Sequence, residues 1–337
     1  MTAAIARRAG IPWGASVLVG CWIVMLPLTQ KQVMLVMSDV LLTISCLCAA
    51  WLWAHFMERP TVRRGLLFGV VAAFSILVKG SAFALAIVPV LSILMLRRWD
   101  LLKKLSFWLA PVPVVLTALP WTLMTMQITQ EGMQDKSVMS YLPEAFGFYV
   151  EASWQSFGLI ILVAAAAGVG RWAWGWLKRG SASPFAVSML SFAVALVVLY
   201  LMSPTGFAAR YLLPVAPLVL VGTVKGLFFN FHGCDVARSW ATITGLAMVL
   251  SMTELNESRS TQKIASGFGT LADELLRRDA GGKVLVVSDA KGEGSLTAEL
   301  AFRLSDRVNS PWTIVRGSKF LAKSDWIGRG YAMAFAN

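Results

Sequence analysis

The stretch Ser75-Ile76-Leu77-Val78-Lys79-Gly80 sets one lysine between two apolar runs, Gly65 to Val78 and Ser81 to Leu96. Together the runs cover about 30 residues, roughly 45 Å of helix at 1.5 Å per residue. That exceeds one bilayer core of about 30 Å and falls short of two full crossings at ~20 residues each. A cation left in mid-hydrocarbon costs roughly 2.5 kcal/mol or more. The cheaper arrangement puts Lys79 at a membrane surface, with Gly80 turning the chain between two short or tilted helices. A boundary lysine that merely snorkels would occupy the same place. What else gathers on its face must decide between that and a functional role.

The whole chain has the composition such a stretch requires. Of its 337 residues 57% are hydrophobic and 14% charged, where a soluble domain carries about 25% charge. Long apolar runs separated by short basic clusters identify a polytopic helical membrane protein. The net charge of +12 does not point to nucleic acid, because the cations fall at the ends of apolar spans and form no stripe with interleaved stacking aromatics. Tryptophans gather at the same ends, as Trp172, Trp174 and Trp176 do beside Arg171 and Lys178, in the manner of an interfacial belt. Cys21, Cys46, Cys48 and Cys234 form no metal-ligand or obvious disulfide pattern, and His55 and His232 are isolated. No signal-peptide cleavage site follows Met1 to Gly10.

Nine apolar spans are expected: Pro12–Thr29, Ser38–Phe56, Gly65–Val78, Ser81–Leu96, Leu105–Met126, Ser153–Gly170, Pro184–Met202, Ala208–Val224 and Arg238–Thr253. Connections on one side carry Arg7-Arg8, then Arg59, Arg63 and Arg64, then Arg97-Arg98 with Lys103-Lys104, then Arg171, Lys178 and Arg179, then Lys225 and Arg238. Those on the other carry Lys31, Lys79, an acidic loop from Gln127 to Ala152 with Glu131, Asp135, Glu144 and Glu151, and Arg210. The positive-inside rule makes the first side cytoplasmic, with the N-terminus inside and the C-terminal segment outside. If Gly65–Val78 and Ser81–Leu96 form one element, everything downstream inverts; the acidic loop falling outside favours two crossings.

From Glu254 the composition becomes that of a soluble domain, so we divide the chain into a membrane domain, 1–253, and an outer domain, 254–337. Ile264, Phe268, Leu271 and Leu275 share a helical face. Lys283 to Ser288 is expected as a strand, Ser295 to Leu304 as a helix and Trp312 to Val315 as a second strand, a small and incomplete α/β unit. Between its first strand and helix, Ser288 to Gly294 (SDAKGEG) could cradle an anion on free backbone N–H groups or serve simply as a tight turn. Asp289, Gly292 and Gly294 are the candidate glycan or acceptor contacts there, with Arg316-Gly317-Ser318-Lys319 and Ser324-Asp325-Trp326 on the same edge. The pattern lacks the third glycine and downstream acid of a dinucleotide fingerprint.

On the outer face Lys79, Asp39 and Arg210 offer two cations and a carboxylate. Arg and Lys suit a phosphate, and a carboxylate can accept a proton. Asp39 also suits the first turn of its helix, where the macrodipole favours an acid.

Asp39 before an apolar run, the Val78-Lys79-Gly80 turn, Leu119-Pro120-Trp121 and Arg210-Tyr211-Leu212-Leu213-Pro214 occur in this order in polyprenyl-phosphate-dependent GT-C glycosyltransferases. The chain resembles the bacterial protein-mannosyltransferase and aminoarabinose-transferase type over roughly Arg7 to Gly226. The resemblance implies an inner-membrane enzyme moving a sugar from a polyprenyl-phosphate donor to a glycan, lipid or protein acceptor on the outer face. It implies Lys79, Arg210 and Tyr211 at the donor phosphate and a divalent metal in some branches only. The family places its catalytic acid in the first outer loop. Here Gln30 to Met37 carries Lys31 and no acid, and Arg7-Arg8-Ala9-Gly10 looks like the family's link after its second helix. Two upstream helices and the catalytic loop are therefore expected to be missing, with Asp39 in a supporting role. A non-catalytic envelope protein that binds a lipid-linked glycan or a partner through its outer domain is the other expectation.

Overall fold

The computed structural model describes residues 1–34, 38–126, 137–179, 182–204, 206–227, 239–249, 267–278, 282–287, 290–304 and 312–317. The chain divides into two compact units, one holding the described residues up to 249 and the other those from 267 onward. Among the described residues the first contains helices and no strand, and its apolar helices make this a helical membrane protein. Among the described residues four helices are long and apolar enough to cross a membrane: Asp39–Glu58, Leu105–Met124, Leu159–Lys178 and Pro184–Met202. A fifth candidate is the pair formed by Trp13–Met25 and the helix that starts at Pro27, bent by 58°. The bend has a covalent cause, since Pro27 forces Leu26 into an extended backbone (φ −56, ψ 131) and away from the α region. Gly80–Leu96, Ala216–Leu227 and Ser239–Val249 are apolar but shorter.

The Asp39–Glu58 helix is the axis of this unit, burying Leu42, Cys46, Leu47, Ala50, Trp53, Ala54, Phe56 and Met57. At 20 residues it is about 30 Å long, one hydrocarbon thickness. Contacts at its two ends trace the course of Gly65–Val78 and Ser81–Leu96 within the bundle. Arg64 donates from Nη1 to the His55 carbonyl at 2.7 Å, Lys79 reaches Asp39, and Arg98 returns to the Met57 carbonyl at 3.4 Å. Between Arg64 and Arg98 the chain therefore runs from the Glu58 end to the Asp39 end and back. The outward limb is the helix Val62–Val78. The return limb opens as a 3₁₀ helix, Gly80–Ala86, and continues as Ile87–Leu96. A 3₁₀ helix rises ~2.0 Å per residue, so the 17-residue limb reaches roughly 29 Å where a uniform α-helix would reach about 25 Å. That stretch gives the short run nearly the length of the Asp39–Glu58 helix beside it.

Arg8 pairs with Glu58 at 2.6 Å, so the first basic cluster and those around 59–64 and 97–104 lie at the Glu58 end together. The cation contacts there also meet carbonyls of a helix's last turn, at the negative end of the macrodipole.

Two packings depend on the absence of a side chain. Gly65 and Gly69, four apart on one helix face, lie against the carbonyls of Ser106 and Ala110. Gly222 and Gly226 lie against Ala165 and Ala164, while Gly168 meets Gly222 from the other helix. At these points helices meet backbone to backbone, as small-residue motifs allow in membranes.

The region expected as an acidic outer loop, Gln127 to Ala152, is different. Val138–Phe157 is a helix capped by the Ser137 hydroxyl and ended by Gly158 at φ 77. Tyr141, Ala145 and Ala152 form its buried face. Pro143 and Gly147 masked that periodicity in the sequence. Glu144 and Glu151 lie on its exposed side, and 127–136, with Glu131 and Asp135, fall outside the described residues. So do His232, Cys234 and Arg238.

In the second unit the helix Phe268–Arg278 precedes strand Lys283–Val286, helix Ala290–Leu304 and strand Thr313–Arg316. The two strands pair in parallel with Lys283 opposite Thr313, which requires the crossover the second helix provides. Ala272, Val286 and Leu300 form its small core. Arg303 clamps the two helices together, bonding Asp273 on one and Glu299 on its own.

Candidate functional site

Lys79 closes the Val62–Val78 helix in an extended conformation, its backbone N–H still donating to the Ser75 carbonyl. This aims the side chain across to the first residue of the neighbouring helix, and Lys79 Nζ lies 2.6 Å from Asp39 Oδ1. The Asp39 side chain is 2% exposed, with the positive end of its own helix dipole beneath it. Tyr211 and Arg210 arrive on a 3₁₀ turn, Ala209–Leu212. Lys79 Nζ stands 4.8 Å from the centre of the Tyr211 ring, and the Arg210 guanidinium 5.5 Å from the same ring. Both distances are within cation–π range. Asp39, Lys79, Arg210 and Tyr211, separated by up to 172 positions in sequence numbering (39 to 211), thus form one cluster.

An aromatic wall continues from Tyr211. Tyr200 stacks on it at 5.0 Å with the rings 13° from parallel, and Tyr149 lies 6.0 Å beyond. Phe207 stacks between Phe148 and Tyr141, at 5.2 Å from each. Tyr149 and Tyr200 went unnoticed in the sequence, where tyrosines at span ends look like belt residues.

Two polar atoms of this neighbourhood, Arg210 Nε and Tyr149 Oη, are buried without a hydrogen-bond partner, while the Ser81 and Tyr200 hydroxyls face each other. Thr29 Oγ1 and Gln32 Oε1 are orphaned as well, on the Pro27–Met34 helix that packs on the Ala209–Leu212 turn and the Asp39 helix. An unpaired buried polar group costs about 1–3 kcal/mol, and such groups in a native structure call for an explanation such as a ligand or ordered water. The charges of the cluster are Lys79, Arg210 and Asp39, an excess of one cation. A site of this kind favours an anion that brings further polar atoms.

Among the described residues no three His, Cys, Asp or Glu side chains gather to hold a metal. Asp39 already shares its carboxylate with Lys79. In the second unit Gly292 and Gly294 fall inside the helix Ala290–Leu304. Glu293 between them is buried and faces Arg316 at 3.4 Å, so the first turn of that helix carries its own anion. Asp289 lies outside the described residues, as do Ser318, Lys319, Ser324, Asp325 and Trp326.

No protein-family model, no curated protein and no solved structure matches this chain.

Proposed function

We propose that this chain is a glycosyltransferase-type membrane protein whose Lys79–Arg210–Tyr211 cluster holds the phosphate of a polyprenyl-phosphate sugar. On this reading the nine apolar spans lie in an inner membrane with the N-terminus cytoplasmic, and the cluster opens to the outer face. There the sugar passes to a glycan, lipid or protein acceptor. The observation that carries the proposal is the convergence of Lys79, Arg210 and Tyr211 beside orphaned buried polar atoms at one end of the bundle. A lipid-phosphate sugar supplies what that place lacks: an oxyanion for Arg210 Nε and a headgroup rich in hydroxyls for Tyr149. The polyprenyl chain would remain in the bilayer.

One observation favours donor binding without turnover as the second reading. The carboxylate of the cluster, Asp39, is buried in a 2.6 Å contact with Lys79, which fits a positioning role better than that of a base approaching an acceptor.

The test is binding and turnover of polyprenyl-phosphate sugars by the full chain in proteoliposomes. Wild type should retain the lipid in native mass spectrometry, and Lys79→Ala or Arg210→Ala should lose it by tenfold or more while still inserting; truncating one partner of a charge-assisted contact costs about 1.5–3 kcal/mol. Transfer to an acceptor would establish the enzyme, and retention without transfer the binding protein. Unchanged retention in both variants would remove the cluster from the donor site.

A further inference from the structure

The opposite end of the bundle carries a second, unassigned cluster. The segments 55–64 and 97–106 are tied together there by Arg98 to the Met57 carbonyl and by Ser106 Oγ to the Pro60 carbonyl, each at 3.4 Å. The close approach of Gly65 and Gly69 to Ser106 and Ala110 fixes the same pair of elements from below. Seven cations lie on these segments, Arg59, Arg63, Arg64, Arg97, Arg98, Lys103 and Lys104, against two acids, Glu58 and Asp100.

Both acids are already engaged. Glu58 is held by Arg8 at 2.6 Å and by His55 at 3.2 Å, and Asp100 is forked by Arg98 at 2.7 and 2.9 Å. Arg64 is engaged by the His55 carbonyl, and Lys104 lies in the field of Asp100. Arg59, Arg63, Arg97 and Lys103 are exposed and make no side-chain hydrogen bond or ion pair among the described residues. Arg97 sits at φ 54, the one non-glycine residue with positive φ among the described residues. That left-handed position is one that glycine or asparagine ordinarily fills, so an arginine there bears a conformational cost that its backbone role does not explain.

The second feature is apolar. Trp99, Leu102, Leu105 and Trp108 are 37–69% exposed on the same segment as Arg97 and Lys103, and Trp108 Nε1 ties 102 to 108 through the Leu102 carbonyl at 2.9 Å. Exposed tryptophan and leucine beside unpaired cations suit the headgroup level of a bilayer. They do not suit a soluble polyanion, which would leave that apolar surface in water.

We infer that the patch formed by Arg59, Arg63, Arg97 and Lys103 is a binding site for the phosphodiester headgroups of acidic phospholipids in the leaflet at this end of the bundle. It is independent of the Lys79 cluster. The bound lipid brings the negative charge that the segment's own acids do not supply, and it holds the 55–64 and 97–106 connections together.

The test uses the full chain purified in a neutral detergent, with phosphatidylglycerol and phosphatidylcholine as probes and native mass spectrometry and thermal unfolding as readouts. Wild type should retain phosphatidylglycerol on the order of tenfold better than phosphatidylcholine, with the preference falling as salt rises. The triple variant Arg59→Gln, Arg63→Gln, Lys103→Gln should lose the preference. Its changed side chains bond nothing, so folding should persist, as circular dichroism would report. Lys31→Gln, an exposed cation on another helix, should keep the preference. Equal retention of both lipids, an unchanged triple variant, an equal loss in Lys31→Gln, or the same thermal stabilisation from inorganic phosphate alone would each overturn the inference.

Discussion

Lys79 Nζ and Asp39 Oδ1 meet at 2.6 Å across two helices, and of the two side chains the carboxylate is the more deeply buried, 2% exposed against 25%. The pair joins the turn of the out-and-back limb to the head of the axial helix, so its loss should be felt as structure as well as function. Removing one partner of a buried pair leaves an uncompensated charge, whereas replacing both with apolar groups often costs little. Lys79→Met should therefore lower stability by about 3 kcal/mol. The double variant Asp39→Leu, Lys79→Met should recover most of that loss in thermal unfolding. Its donor-lipid retention should stay low, which separates the two roles of the lysine. A double variant as unstable as Lys79→Met would mean that the pair's stabilising effect is packing and not charge.

The glycine contacts make a steric prediction. A Cβ at Gly69 would run into the Ala110 carbonyl, and one at Gly226 into that of Ala164. Gly69→Ala and Gly226→Ala should each cost about 1–3 kcal/mol or more, since the obstacle is backbone and cannot rotate away. Gly147 and Gly170 meet nothing within 4 Å, and alanine there should stabilise by roughly 0.5–1 kcal/mol through helix propensity. Thermal unfolding of the four single variants orders them directly; four equal results would contradict the backbone-to-backbone packing.

The out-and-back course of 62–96 predicts a labelling pattern. Arg63 and Arg97 are exposed at one end and Gly80 is exposed at the other. With the native cysteines replaced, Arg63→Cys and Arg97→Cys should react with an impermeant thiol reagent from the same side of the membrane. Gly80→Cys should react only from the opposite side. Labelling of all three from one side would make the segment a re-entrant loop.

That course was half legible in the sequence. Charge alternation put Asp39, Lys79 and Arg210 on one face, because orientation signals reside in short basic connections whatever the packing. The length of the return limb was not legible, because the Gly80–Ala86 3₁₀ stretch, with its greater rise per residue, has no signature in its composition. Tyr149 and Tyr200 were hidden for another reason. Their position at span ends fits belt and site alike, and only the tertiary stack on Tyr211 distinguishes them. Gly65 and Gly69 stood four apart in plain view, but that spacing acquires meaning only when the facing helix is known to present the Ser106 and Ala110 carbonyls.

The Arg98–Asp100 fork at the other end of the bundle gives a pH prediction. Arg98 bonds both Asp100 oxygens, at 2.7 and 2.9 Å, and this holds the Asp100 carboxyl below the usual carboxylate range. A carboxyl whose pKa is lowered by folding adds stability that is fully present above the unfolded value. That stability is lost as pH falls through the folded one. Asp100 is 50% exposed, so solvent screening limits the pair to about 0–1 kcal/mol. Asp100→Asn should therefore unfold slightly below wild type at pH 7, and the gap should narrow as pH falls below about 4 and close near the folded pKa. Arg98 also supports the Met57 carbonyl, so Arg98→Gln should cost more than Asp100→Asn and keep part of its deficit in acid. Unfolding temperatures of both variants across pH 7 to 3 decide the matter: a gap for Asp100→Asn that does not shrink in acid would assign its effect to backbone geometry at the 97–103 turn and not to charge.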